Sequence, residues 1–292
     1  MPSQPSVPSC IARSKWSAFA AVAFGTAVLV RRLRQRRSAH LVAVSGGVRL
    51  PCEVEGPDGP LALVVGHGLG SSDPSVKSHR HDAIRHIILP VLSQIGCRAA
   101  FYTARGHGDS LGWMGRGEEQ FAWPRLAEDL LAVADATIGP GSRFVAAGNS
   151  MGAVTALCAA LQQPHRISAL VLYRPPLLFE AREARRAALL SIAEEHGPQW
   201  VGREVLRGSA ATNLPPSTDP SWAQLRNLSV PTLILCHGDD CVHPLASGVK
   251  LQELLPHATL LQQPHLESAE AAFPRELSRW LWKVASPAGD GE

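Results

Sequence analysis

The sequence predicts an α/β fold, in which a doubly wound and mostly parallel sheet carries a small helical lid insertion. From about residue 40, short apolar runs alternate with segments of helical periodicity, the pattern of a parallel sheet covered by helices on both faces. The first two runs are separated only by Ser45-Gly46-Gly47, which predicts that an antiparallel hairpin opens the sheet. The 292 residues, 45% of them hydrophobic, suffice for one such domain.

The elements are predicted in chain order from these runs. The strands are expected at 41–44, 48–54, 61–65, 97–103, 144–147, 169–173, 232–236 and 258–261. The helices are expected at 80–95, 125–136, 151–161 and 274–284. Continuous apolar strands of this kind are buried on both faces, as in parallel sheets. We therefore place the domain at 40–285 and expect the tail 286–292 to be frayed.

One connection is much longer than the others. Roughly 60 residues separate the strand that ends at Tyr173 from the strand that starts at Thr232, and they include a charged helical stretch at 180–195. Connections in such folds are usually short, and long insertions often cover an active site. The interval predicts a helical lid at about 174–228, over the carboxyl edge of the sheet.

The charge is distributed unevenly along the chain. Eight of the 28 Lys and Arg residues lie within 1–52, a stretch without Asp or Glu, so the other 20 stand against all 25 acidic residues beyond it. The domain itself is therefore mildly acidic, which gives no reason to expect nucleic-acid binding. Residues 16–30 are largely apolar and would span roughly 22 Å as a helix at ~1.5 Å per residue, short of the ~30 Å hydrocarbon core.

Several interpretations of this apolar run stay open. A basic block at 31–37 follows the run, whereas the positive charge of an ordinary signal peptide precedes it. If the run enters a membrane, the block should keep the downstream domain on the cytosolic side. We expect 1–39 to be either such an anchor, with membrane association through 16–30, or a cleaved organelle-targeting segment. A cleaved secretory signal and a helix packed on the domain are the other interpretations.

The stretch Gly148-Asn149-Ser150-Met151-Gly152 follows a predicted strand and precedes a predicted helix. A strand that turns sharply into a helix while presenting one hydroxyl needs small residues two before and two after it. The stretch therefore predicts a nucleophile elbow with Ser150 at its tip.

A serine hydroxyl needs a base to take its proton and a carboxylate to orient that base. Both residue types follow later strands, because Asp239 and Asp240 come after 232–236 and His265 comes after 258–261. The carboxyl ends of parallel strands meet at one edge of the sheet, where active sites form. His243, which directly precedes a proline, could line the pocket, but we interpret it as a loop residue.

These motifs, in this order, resemble the α/β-hydrolase fold superfamily in its serine-nucleophile branch, over residues 40–285. The matching pieces are His67-Gly68, the stretch 105–110, the elbow, the Gly-Asp-Asp segment before Pro244, and His265 before a helix. The resemblance implies a triad with Ser150 as nucleophile and His265 as general base and acid.

The resemblance also implies an acid and an oxyanion hole. The family's acid usually lies four residues before a proline, which selects Asp240 and leaves Asp239 as the alternative. The implied oxyanion donors are the backbone N–H groups of Met151 and Leu69.

A serine at the elbow points to acyl transfer rather than to the aspartate-based chemistry of related branches. We therefore predict a hydrolase that cleaves a carboxylic ester or related acyl bond of a small molecule, without cofactor or metal. An acyltransferase with the same triad and a non-catalytic binding or scaffolding protein stay open as alternatives.

Overall fold

A computed structural model describes residues 38–68, 82–110, 112, 118–176, 221–240 and 243–286. The targeting segment, the helix predicted at 180–195 and most of the lid lie outside these residues, so the expectations for them stay predictions. Within the described ranges, no helix combines the length and the apolar character that a membrane crossing requires.

Eight strands form one sheet, and they occur where the apolar runs predict them. They are β1 (Ser38–Val44), β2 (Val48–Glu55), β3 (Ala62–Gly66), β4 (Arg98–Tyr102), β5 (Phe144–Asn149), β6 (Ile167–Tyr173), β7 (Thr232–His237) and β8 (Ala258–Gln263). Their spatial order is β1-β2-β4-β3-β5-β6-β7-β8. The pairs β1–β2 and β2–β4 are antiparallel and the rest are parallel, which confirms the predicted fold class.

Six α-helices lie within the described residues. They are α1 (Ala83–Ile95), α2 (Trp123–Thr137), α3 (Met151–Gln162), α4 (Ser221–Arg226), α5 (Leu245–Leu254) and α6 (Leu266–Ala285). Helices α1 and α6 pack together on one face of the sheet, whereas α2 and α3 pack together on the other.

Alternation along the central strands builds a separate core on each face. On β3, Val64 belongs to the core under α2 and α3, while its neighbours Leu63 and Val65 belong to the core under α1 and α6. On β5, Ala146 faces the first core, and residues on either side face the second. Both central strands are therefore buried on both faces, and the carboxyl end of β5 leads directly into the predicted elbow.

Helix α6 follows His265 directly, as the resemblance implies, and therefore begins earlier than the span 274–284 predicted from the apolar runs. It starts at Leu266, and the helix continues through Pro274. His265 is its N-cap residue, and its backbone N–H donates to Ser268 Oγ at 3.3 Å. The cap and the buried residues Ala269 and Phe273 stabilise the first turns, so a proline in the third turn does not end the helix.

Candidate active site

The predicted elbow is present at the carboxyl end of β5. Ser150 has φ 50° and ψ −108°, a conformation that few non-glycine residues adopt, and it is held between β5 and α3. A Cβ atom on Gly148 would lie 2.0 Å from the carbonyl carbon of Gly152, and one on Gly152 would lie 2.2 Å from the carbonyl oxygen of Gly66. Both flanking glycines are thus required by close backbone approach.

Backbone hydrogen bonds tie the elbow to its neighbours. The Ser150 N–H donates to the Tyr173 carbonyl at 3.0 Å, at the end of β6. The Gly152 N–H donates to the His67 carbonyl at 3.1 Å, in the loop after β3. The nucleophile candidate is therefore fixed against the strands on both sides.

His243 is the histidine that contacts Ser150. Its Nε2 lies 2.8 Å from Ser150 Oγ, and its Nδ1 lies 2.9 Å from Asp240 Oδ2. The His243 backbone N–H also donates to Asp240 Oδ1 at 2.8 Å, which closes the turn between β7 and α5. Serine, imidazole and carboxylate thus form one continuous hydrogen-bonded line.

The ionisation of Asp240 fixes the direction of these bonds. Burial alone would raise the pKa of Asp240, but the hydrogen bonds and charge of His243, together with the Arg174 guanidinium, lower its pKa to about 2. An ionised carboxylate only accepts hydrogen bonds, so His243 Nδ1 carries the proton that it shares with Asp240. In the neutral imidazole, Nε2 is then free to accept the proton of Ser150.

The structure contradicts the expectation that His265 contacts Ser150. The His265 side chain is 70% exposed, and its nearest charged partner is Asp239, at 3.8 Å between Nδ1 and Oδ2. His265 is the N-cap of α6, just after the edge strand β8, whereas the histidine that contacts Ser150 is His243. His243 does lie in the loop between β7 and α5, but the expectation missed that its ring contacts both Asp240 and Ser150.

Asp239 and Asp240 occupy different positions. Asp239 accepts a 2.5 Å hydrogen bond from His237 Nδ1 and a 3.4 Å bond from the Leu266 N–H, and its side chain is 46% exposed. Asp240 is instead the carboxylate behind the histidine that contacts Ser150. Of the two aspartates that the sequence left open, Asp240 is the one that is hydrogen-bonded to His243, the histidine in contact with Ser150.

The two implied oxyanion donors are placed differently. Met151 is the first residue of α3, directly after Ser150, where backbone N–H groups have no partner within the helix. Leu69 lies outside the described residues. The Gly68 N–H, next to it, donates to Asp82 Oδ2 at 2.8 Å and is therefore occupied.

Two buried histidines shape the loop after β3. His67 Nδ1 donates to the Gly68 carbonyl at 2.9 Å, and its Nε2 accepts from the Ala104 N–H at 3.0 Å. Burial lowers the pKa of His67, and burial lowers the pKa of the adjacent His107 to about 3. Both rings are neutral in the folded protein, and they serve the loop as fixed hydrogen-bonding groups.

An eight-stranded sheet in this order, with a nucleophile elbow after the fifth strand and an acid after the seventh, defines an α/β-hydrolase. The chain has the α/β-hydrolase fold and is an enzyme of this type. Residues 79–219 match the family described as serine aminopeptidase, S33.

Similar proteins come from several bacteria. A protein of Variovorax paradoxus named as the carbamate hydrolase RutD is 26% identical over 271 residues, which cover 80% of this chain and 97% of that protein. Among solved structures, a thermophilic esterase from Thermogutta terrifontis is 21% identical with a TM-score of 0.62, covering 86% of this chain and 100% of the other. An enol-lactonase from Burkholderia xenovorans is 18% identical with a TM-score of 0.61, covering 83% and 100%.

Proposed function

We propose that the protein is a serine hydrolase that cleaves a carboxylic ester or related acyl bond through an acyl-enzyme. The single observation that supports this most strongly is the line from Ser150 Oγ through the His243 ring to Asp240, with donor–acceptor separations of 2.8 and 2.9 Å. In this proposal Ser150 is the nucleophile, His243 the general base and acid, and Asp240 the acid that orients the imidazole.

In the first step, Ser150 Oγ attacks the carbonyl carbon while its proton passes to His243 Nε2. Asp240 stabilises the imidazolium that forms and keeps the ring oriented through Nδ1. When the tetrahedral intermediate collapses, the bond to the leaving group breaks, and the leaving group takes the proton from Nε2. Ser150 is left esterified by the acyl group.

The second step mirrors the first. His243 accepts a proton from water, the hydroxide oxygen attacks the acyl carbon, and collapse returns the proton to Ser150 Oγ. In both steps, negative charge on the carbonyl oxygen would be stabilised by the backbone N–H of Met151 and, as the resemblance implies, by that of Leu69.

The similar proteins support the proposed class of substrate. Their names include a carbamate hydrolase, an esterase and an enol-lactonase, and each name denotes cleavage of a bond to a carbonyl carbon. We propose a small molecule that carries such a bond as the substrate.

Labelling with a fluorophosphonate probe tests the proposal. We expect the wild type to be labelled and Ser150→Ala not to be, because the probe phosphonylates an activated serine oxygen. The matched control is Ser229→Ala, at an exposed serine before β7, which should label like the wild type. Absent labelling of the wild type, or equal labelling of the Ser150 variant, would favour the non-catalytic alternative.

Acyl transfer would use the same residues with a different acceptor. A labelled ester is incubated with an added alcohol or amine, and the yields of acylated acceptor and of free acid are compared. If the acceptor captures more acyl group per mole than water, at about 55 M, does, acyl transfer is supported. If free acid is the product at all acceptor concentrations, hydrolysis is supported.

For the amino-terminal segment we propose either a membrane anchor with a cytosolic-facing domain or a cleaved organelle-targeting segment. Its apolar run at 16–30 is followed by a basic block, which motivates both. Carbonate extraction of membranes from cells that express the full chain separates them. An uncleaved anchor stays in the pellet at full length, whereas a targeting segment leaves a shorter, extractable protein.

A further inference from the structure

A chain of buried and partly buried hydrogen bonds connects Arg174 and Asp82 through Asn149, the residue directly before Ser150. Arg174 Nε donates to Asn149 Oδ1 at 3.2 Å, and Asn149 Nδ2 donates to the two Asp82 oxygens at 3.1 and 3.2 Å. Asp82 Oδ2 in turn accepts the Gly68 N–H at 2.8 Å. The amide of Asn149 has a unique orientation here, because its nitrogen faces a carboxylate and its oxygen faces a guanidinium.

Arg174 also reaches the proposed triad. Its Nη1 lies 3.7 Å from Asp240 Oδ2, and its guanidinium stacks 4.8 Å from the centre of the Tyr173 ring. The residue has φ 47°, and its backbone N–H donates to the Leu235 carbonyl at 2.9 Å. A left-handed conformation at a non-glycine residue persists only where its surroundings hold it, and here they aim the guanidinium between Asn149 and Asp240.

The charges around Asp240 come from several elements. Within the described part of the chain, the groups that face it include Arg174 and Tyr173 at the end of β6, Cys236 and His237 at the end of β7, and His243 before α5, with Asp239 bound to the far side of His237. Burial raises the pKa values of Tyr173 and Cys236 to about 12, so both are neutral. Arg174 brings a permanent positive charge to this group.

We propose that Arg174 is a positioning residue whose charge, beside Asp240, sets the lower pH limit of activity. The inference rests on the proposed function, because it concerns the protonation of His243 as a base. A cation next to Asp240 offsets part of the attraction between the carboxylate and an imidazolium. Protonation of His243 is thereby opposed, and the base stays competent to lower pH.

The hydrogen bond from Arg174 to Asn149 adds a second, separable contribution. Asn149 directly precedes Ser150, and through Asp82 it connects to the loop next to the implied donor Leu69. Lysine at 174 keeps the charge but lacks the planar, multi-donor geometry of a guanidinium. Methionine at 174 loses both the charge and the hydrogen bond.

The test is the pH dependence of kcat/KM for p-nitrophenyl acetate, a neutral ester. We expect the acid limb of Arg174→Met to move to higher pH by about 0.5 to 1 unit, as removal of a unit charge near the base predicts. Arg174→Lys should keep the limb of the wild type and lower kcat. Because the ester is uncharged, KM should change less than about 3-fold.

Two controls separate this effect from structural damage. Arg98→Met removes a cation paired with Asp58 at 2.9 Å on a different part of the sheet, and it should leave the profile unchanged. Arg174→Gln repeats the loss of charge with a polar side chain, so the test survives if the methionine variant does not fold.

Each outcome decides the matter. If the wild type is labelled at Ser150 but the acid limbs of Arg174→Met and Arg174→Gln coincide with its own, the inference about Arg174 is overturned while the proposed function stands. An equal shift of the acid limb in Arg98→Met would show that the effect comes from the net charge of the protein, and this result would also overturn the inference about Arg174. If the wild type neither labels nor hydrolyses, the proposed function fails and this inference falls with it.

Discussion

The loop after β7 and the turn after β8 each place a histidine near an aspartate, but only one pair is built for chemistry. His243 and Asp240 are 2.9 Å apart with side chains 12% and 8% exposed, and the ring reaches Ser150. His265 and Asp239 are 3.8 Å apart with side chains 70% and 46% exposed. The two pairs contain the same residue types, and they differ in burial and in the contact of one histidine with Ser150.

The difference has an energetic basis. Water screens the exposed pair, so its attraction contributes little, as is typical of surface ion pairs. The buried pair has lost most of its water, and its geometry is fixed by a second bond, from the His243 backbone to Asp240. A base must be held in one orientation to accept a proton in a transition state, and only the buried pair meets this condition.

Exchanging the two histidines for alanine tests the comparison most strongly. We expect His243→Ala to lower kcat/KM for p-nitrophenyl acetate by ~10⁴-fold or more, because Ser150 loses its base. His265→Ala, the matched control, should stay within about 3-fold of the wild type. Steady-state kinetics at pH 7.5 provide the measurement. A larger loss in the His265 variant than in the His243 variant would reverse the assignment.

The two neighbouring aspartates give the next largest effect. Asp240→Asn should lower kcat by ~10³- to 10⁴-fold, since an amide can hold the imidazole in the wrong tautomer and cannot stabilise its charge. Asp239→Asn should change kcat less than about 5-fold, because Asp239 contacts His237 and the start of α6. The same ester assay measures both variants, and similar losses in the two would show that the aspartates act together.

The smallest effect concerns stability in acid. The pKa of Asp240 is about 2 in the folded protein against an ordinary value of 3.8, so its ionisation stabilises the fold above pH 3.8. That stabilisation is lost as the pH falls toward 2. Between pH 5 and pH 2 the wild type should therefore lose about 1 to 2 kcal/mol more unfolding free energy than Asp240→Asn.

Urea denaturation followed by circular dichroism measures this difference. Asp239→Asn is the comparison, and its effect should be smaller because solvent screens an exposed carboxylate. A pH dependence of Asp240→Asn that matches the wild type would contradict the lowered pKa of Asp240.

The sequence predicts the scaffold of the site well, because local patterns encode it. The glycines around Ser150 follow from a turn that tolerates no Cβ atom, and the strand that precedes them is a continuous apolar run. The resemblance favours Asp240 over Asp239 because of its spacing to Pro244, which directly precedes α5. Such features depend on neighbours in the chain and are therefore visible in one sequence.

The identity of the base is not encoded in this way. His265 and His243 both follow strands whose carboxyl ends meet at one edge, so position along the chain does not distinguish them. What separates them is the direction of each side chain, and this depends on a turn closed onto Asp240 in one case and on a helix cap in the other.

The backbone around Ser150 is held by a contact between glycines, which have no rotatable side chains. Gly66, Gly148 and Gly152 meet backbone against backbone, with no side chain between β3, β5 and the first turn of α3. Rotamer changes elsewhere in the core therefore do not move this contact or displace the serine backbone. The χ1 torsion of Ser150 is the main conformational freedom left to its hydroxyl. Ser150 Oγ therefore loses little conformational entropy when it attacks an acyl carbon. Much of the ordering that the reaction requires has already occurred when the chain folds.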